Sequence, residues 1–131
     1  MALDPGAYLA EIELALIVSP IVAQYEVVRS WANSDDGYIR VRATLGNGDF
    51  LESTAYFVLD QESVEIVDYR HQWMDGTRTI LRRRWDCTPH HPELDGFPHH
   101  VHVGNENDVL AGHVMGIIDL LQLLEQEFLN S

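Results

Sequence analysis

The groups best suited to chemistry lie in one run: Arg84-Trp85-Asp86-Cys87-Thr88-Pro89-His90-His91-Pro92-Glu93-Leu94-Asp95-Gly96-Phe97-Pro98-His99-His100-Val101-His102-Val103-Gly104. Two histidine pairs, each beside a proline, stand one short turn apart, and His102 follows. Proline fixes φ and biases the preceding residue to extended backbone, so the segment reads as a stiff loop. Stiffness matters because an imidazole that moves protons or binds metal must be held in place. Three uses are open. The rings can ligate a divalent transition metal, with His100 and His102 facing the same way on an extended segment and His90 or His91 closing the site. Alternatively, two among His90, His91, His99 and His100 serve as general acid and base on a phosphodiester while Arg84 holds a phosphate. An imidazole pKa near ~6.5 suits both roles. The third use is structural: the rings donate to backbone carbonyls or line an interface. Asp86, Glu93 and Asp95 are available as imidazole partners under all three. The candidate catalytic set is Arg84, Asp86, His90, His91, His99 and His100.

Arginine gives the second signal. Between Tyr69 and Asp86, five arginines (Arg70, Arg78, Arg82, Arg83, Arg84) stand against two aspartates, a local +3 in a chain whose net charge is −13 and which has no lysine. Bulk acidity repels nucleic acid and anionic membranes, so any polyanion must be met by a local patch. Arg70, Arg82 and Arg84 are the candidate anion- or RNA-binding residues, with Arg70 beside Arg82 if Asp75-Gly76-Thr77 is the connecting loop. The competing use is internal pairing, for which Arg42–Glu52 is a plausible cross-strand example. Trp73 and Trp85 read as core or loop anchors, and Cys87 as a small buried residue.

The elements that position these groups follow from periodicity. A chain of 131 residues is one domain's worth, long enough to bury a core unaided by metal or disulfide. Its single cysteine allows no internal disulfide and fits a reducing compartment. Met1-Ala2-Leu3-Asp4 lacks a positive leader segment, and the most apolar stretch is too short to span a bilayer, so a cytoplasmic protein is expected. Asp4 and Pro5 open a helix that runs to about Val18, where Ser19-Pro20 stops it. Period-two alternation then predicts strands at Val22–Trp31, Tyr38–Leu45, Phe50–Leu59, Val64–Trp73 and Thr79–Cys87. Turns this short join antiparallel neighbours, giving a five-stranded meander. A three-residue Gly46-Asn47-Gly48 loop sets Arg42 opposite Glu52 and keeps the apolar residues on one face. Residues 88–107 read as a loop. A closing amphipathic helix is predicted over about Asp108–Phe128, packed with the first helix on the apolar sheet face. Leu120 and Leu123 widen its apolar stripe toward a dimer or partner surface. The fold expected is α+β, in a single domain over 1–131.

The proline–histidine run, from Arg84-Trp85-Asp86 through Pro89-His90-His91-Pro92-Glu93-Leu94 and Phe97-Pro98-His99-His100 to His102-Val103-Gly104, closely resembles the signature of the TumE-like family. Those proteins are the presumed toxin halves of bacterial and archaeal toxin–antitoxin modules. The likeness also takes in Tyr38, Arg40, Arg42, Phe50-Leu51-Glu52, Tyr69-Arg70, Trp73 and Asp75, spanning about Tyr38 to Gly104. It implies a small α+β toxin neutralised by a DNA-binding antitoxin, with RNA the usual target class of such toxins. The chain differs from the pattern at His71-Gln72 and Cys87-Thr88. Val101 stands where the family has a lysine, a change expected to weaken phosphate binding beside the histidines. The alternative function is a non-enzymatic module whose loop binds metal or a partner protein.

Overall fold

The computed structural model describes residues 4–130; the leader reading at Met1-Ala2-Leu3 lies outside them. Helix α1 (Pro5–Val18) starts where the sequence places it: the Asp4 side chain accepts the Ala7 N–H at 2.8 Å, and Pro5 fills the first turn. Strands β1 (Val22–Ala32), β2 (Asp36–Leu45), β3 (Phe50–Asp60), β4 (Ser63–Met74) and β5 (Leu81–Asp86) follow. The meander then continues through β6 (His100–Val103) and β7 (Val109–Ala111) before helix α2 (Ile117–Leu129). All seven strands pair in chain order, each antiparallel to the next. The chain is α+β.

The sheet has seven strands where five were expected, and several boundaries differ from the sequence reading, β5 starting at Leu81 and not Thr79. The expected loop over 88–107 holds β6, and β7 occupies what was expected to be the first turn of the closing helix. Leu110 and Val114 fit helical spacing but are exposed, and Gly116, lacking a capping side chain, is where α2 begins. Leu120 is fully buried and Leu123 packs against the core, so neither widens a partner surface as expected. Among the described residues no helix is long and apolar enough to cross a membrane.

Both helices cover the same sheet face. Ile12 and Leu16 of α1, with Ile117, Leu120, Leu121 and Leu124 of α2, close over Ile39, Val41, Ala43 and Leu45 of β2 and Leu51 and Ala55 of β3. The β2–β3 register is the expected one: Leu45 N–H bonds to the Asp49 carbonyl at 2.9 Å, and Arg42 lies opposite Glu52. Gly37 belongs to this face because the Phe57 ring lies over it; a Cβ there would meet Phe57 Cζ at 2.4 Å. Alternation leaves every second side chain on the opposite, helix-free face. That face carries the site.

Candidate functional site on the open sheet face

Two rows of side chains cross the open face. Arg40, Thr54, Arg70, Asp86 and His100 are successive cross-strand partners from β2 to β6, and Arg42, Glu52, Gln72, Arg84 and His102 form the adjacent row. Their β2–β3 end is closed electrostatically: Glu52 accepts from Arg40 at 3.0 Å and from Arg42 at 2.7 Å. Burial pushes the Glu52 carboxyl up, but the arginine hydrogen bonds outweigh it and hold it below the usual range.

The β5–β6 end is built around Asp86. Its Oδ1 accepts the Thr88 N–H at 3.1 Å and stands 2.8 Å from His100 Nε2; its Oδ2 accepts Arg84 Nε at 3.2 Å and stands 3.8 Å from His102 Nε2. Asp86, His100 and His102 are all buried. Each ring is tethered through its other nitrogen, His100 Nδ1 to the Pro98 carbonyl at 2.9 Å and His102 Nδ1 to the Glu106 carbonyl at 3.0 Å. A carbonyl oxygen only accepts, so both Nδ1 atoms carry hydrogen and both Nε2 atoms stand on the Asp86 side. Burial, reinforced by the nearby Arg84 charge, lowers the His102 pKa and favours its neutral form. Three ligand atoms, one each from Asp86, His100 and His102, lie within 4.8 Å of one another, close enough to share a metal ion.

Loop 87–99 arches over this centre. His91, held at φ 61°, sets its ring edge-on to His100 (5.3 Å between centroids) and to His102 (6.1 Å), with His90 beside it at 6.3 Å. An open cavity of about 370 Å³ results, with Arg70, Thr88, His90 and His91 completing its wall. Arg84 is not available to a ligand, because both terminal guanidinium nitrogens grip the Glu106 carboxylate and Nε holds Asp86. Arg70, opposite Asp86, reaches only the Gln72 amide oxygen, at 3.3 Å. Glu106 was not singled out in the sequence. Its one signal is the Asn105 turn, whose side chain accepts the N–H groups of Asn107 and Asp108 and so marks a hairpin between β6 and β7.

The second histidine pair does not act as a unit. His99 and His100 point to opposite faces, as neighbours on a strand must. His99 Nδ1 lies 2.8 Å from the Tyr69 hydroxyl on the helix side, its ring stacked on the tyrosine. The Tyr69 hydroxyl donates to the His113 carbonyl, so His99 Nδ1 is the donor in their contact. The arginine patch also divides. A bulge pairs Trp73 with Arg83 and Met74 with Leu81, leaving Arg82 as the extra residue. Six residues, Asp75–Ile80, join β4 to β5 where Asp75-Gly76-Thr77 was expected, and the bulge adds one more, so Arg70 lies opposite Asp86 rather than beside Arg82. Arg82 bonds to Asp49 at 2.7 Å, alongside the Trp73 indole. Arg83 pairs with Glu127 on α2, and Arg78 sits over the Phe50 ring at 3.8 Å. The local +3 of the sequence is thus dispersed. Val101 faces the core opposite Trp85, so a lysine there would not have reached the cavity and its absence takes no phosphate contact from it. Trp85 is a core anchor as read. Cys87 is half-buried, and burial pushes its thiol up to about 11, which leaves no thiolate nucleophile near neutrality.

Fold and site together define a small α+β protein with a histidine–aspartate–arginine pocket at one end of an open sheet face. A family model described as Toxin TumE matches residues 10–129. The chain belongs to that family: it is the toxin component of a toxin–antitoxin system, and its partner is an antitoxin. Comparison with curated proteins and with solved structures returns no match.

Proposed function

We propose that this toxin acts on RNA in the cytoplasm, cleaving a phosphodiester at the Asp86 pocket, and that the antitoxin restraining it is of the DNA-binding kind. The observation that carries the reading is the meeting of His90, His91 and His100 with Arg70, a guanidinium not held by a carboxylate, in one cavity on the open face. Arg70 contacts the phosphate and offsets charge as it develops. Of the histidines, His90 and His91 are the pair positioned to move protons, since His100 and His102 are buried and tethered by carbonyls. One imidazole takes the proton of the attacking 2′-hydroxyl as the new O–P bond forms. The other gives a proton to the leaving 5′-oxygen as its bond to phosphorus breaks. Arg84 and Asp86 are positioning residues: they hold the floor of the pocket in shape. His99 and Arg82 take no part, being turned elsewhere.

With one free guanidinium at the pocket, RNA is gripped through one or two phosphates. Affinity should therefore fall only shallowly with salt, by a log–log slope of roughly 0.7 per phosphate. The test is incubation of the purified chain with end-labelled single-stranded RNA and with its DNA counterpart. The expected products carry a 2′,3′-cyclic phosphate, form from RNA alone, and disappear in Arg70→Gln and His91→Ala. Intact RNA after exposure to toxin that arrests growth would overturn the reading.

A further inference from the structure

We infer that Asp86, His100 and His102 form a binding site for one divalent transition-metal ion. The inference concerns the same pocket but stands apart from the RNA reading, because metal uptake is measured with no RNA present.

Nε2 of His100 is buried and has no hydrogen-bond partner, although Asp86 Oδ1 stands 2.8 Å away. The carboxylate therefore lies within contact distance but outside hydrogen-bonding geometry, and the buried nitrogen is left without a partner. His102 flanks the other carboxylate oxygen: its Nδ1 hydrogen is committed to the Glu106 carbonyl, and its Nε2 stands 3.8 Å from Oδ2. Two imidazole Nε2 atoms and a carboxylate converge in a buried space, where Arg84 Nε and the Thr88 N–H donate to the carboxylate alone and no donor reaches Nε2 of His100. A cation at their centre satisfies all three.

Geometry and chemistry agree with that occupant. Ligand atoms ~2.1 Å from one ion, at angles of roughly 90–110°, stand about 3.0–3.4 Å apart. The imidazoles stand 2.8 and 3.8 Å from Oδ1 and Oδ2 of Asp86 respectively, and one atom from each residue lies within 4.8 Å of the others, so small side-chain shifts close the set on an ion. Backbone carbonyls on both Nδ1 atoms fix the tautomer, as outer partners of metal-bound histidines do. Two imidazoles and one carboxylate favour a first-row transition ion over magnesium or calcium, and three ligands leave positions open for water or a substrate oxygen. Arg84 is no obstacle, because Glu106 neutralises it. Apart from the imidazoles, Arg70, Arg84, Asp86 and Glu106 on the pocket wall sum to zero; a divalent ion turns the pocket to +2. A chain of −13 net charge thereby presents a positive centre to an anion at one place.

The experiment strips the full chain with chelator and titrates it with Zn²⁺ by calorimetry, then with Co²⁺ by visible absorption. One ion per chain should bind saturably and raise the melting temperature. Asp86→Asn and His102→Ala should each weaken binding by more than about 100-fold, beyond the loss of an outer partner, while the exposed His90→Ala leaves it unchanged. Asp86→Asn keeps the side chain's shape; should it unfold the chain, His102→Ala, checked by circular dichroism, carries the same comparison. In ¹⁵N-histidine spectra, Zn²⁺ should shift Nε2 of His100 and His102. Absence of stoichiometric binding by the wild-type chain would overturn the site. So would equal affinity in the folded Asp86 or His102 variant, which would place the ion on other histidines.

Discussion

His71 and His100 are both buried side chains of the same sheet, one beneath the helices and one on the open face, and their surroundings make them opposites. His71 lies across from Ser53 and Trp85 in the apolar layer, where Nε2 meets the Met115 carbonyl at 2.6 Å and Nδ1 has no partner. Desolvation takes its pKa down to about 4. His100 lies next to a carboxylate, under a loop that carries further imidazoles. The helix side isolates its histidine from charge; the open side gathers charge around its own. One face holds the fold together, and the other is organised at a cost in buried polar groups that the fold does not require.

The sharpest way to separate the two faces is to damage the helix side and ask what happens to the pocket. Leu124 is fully buried between α2 and the sheet. Leu124→Ala should lower unfolding free energy by about 3 kcal/mol in denaturant melts, the usual cost of such a cavity, while the folded fraction keeps its activity.

A second break uses pH. Because His71 has a depressed folded pKa, the unfolded chain binds more protons between pH ~6.5 and about 4, so the stability due to its neutral burial is full above that window and lost as pH falls through it. The loss from pH 7 to pH 4 should be on the order of 3 kcal/mol from this residue. His71→Gln should remove that share of the pH dependence, which unfolding curves of both proteins across this range would read.

A smaller effect is expected at Gly37. A methyl group there collides with Phe57, whose ring also meets Tyr8 edge-on at 4.7 Å between centroids. Gly37→Ala should cost about 1–3 kcal/mol, and Phe57→Leu in the same chain should recover part of it. Smallest of all on stability is Arg70→Gln, exposed on the open face: a midpoint within about 0.5 kcal/mol of wild type is expected, with RNA cleavage lost.

The two faces were also unequally legible in the sequence. Five strands and the β2–β3 register could be read because alternation runs ten residues or more in β1 to β4, β5 follows a clear turn, and the Gly46-Asn47-Gly48 loop admits one pairing that keeps apolar residues together. Strands β6 and β7 escaped notice. Four residues, His100–Val103, and three, Val109–Ala111, are too short to show a period, and Leu110 and Val114 happen to match helical spacing to Ile117. The site suffered for it. That Asp86, His100 and His102 share a pocket follows only once β6 is known to pair with β5. The misplacement of Arg82 has two other causes: the β4–β5 connection runs over Asp75–Ile80 and not three residues, and the bulge that frees Arg82 to reach Asp49 is a property of the pairing, with no mark in local composition.

The division of labour between the faces is tested most directly by growth arrest on expression without antitoxin. Wild type is compared with a His90→Ala/His91→Ala variant whose denaturation midpoint matches it. Arrest by the wild type and normal growth with the equally stable variant is the expected result. Equal arrest by both would remove the open-face pocket from the toxin's action.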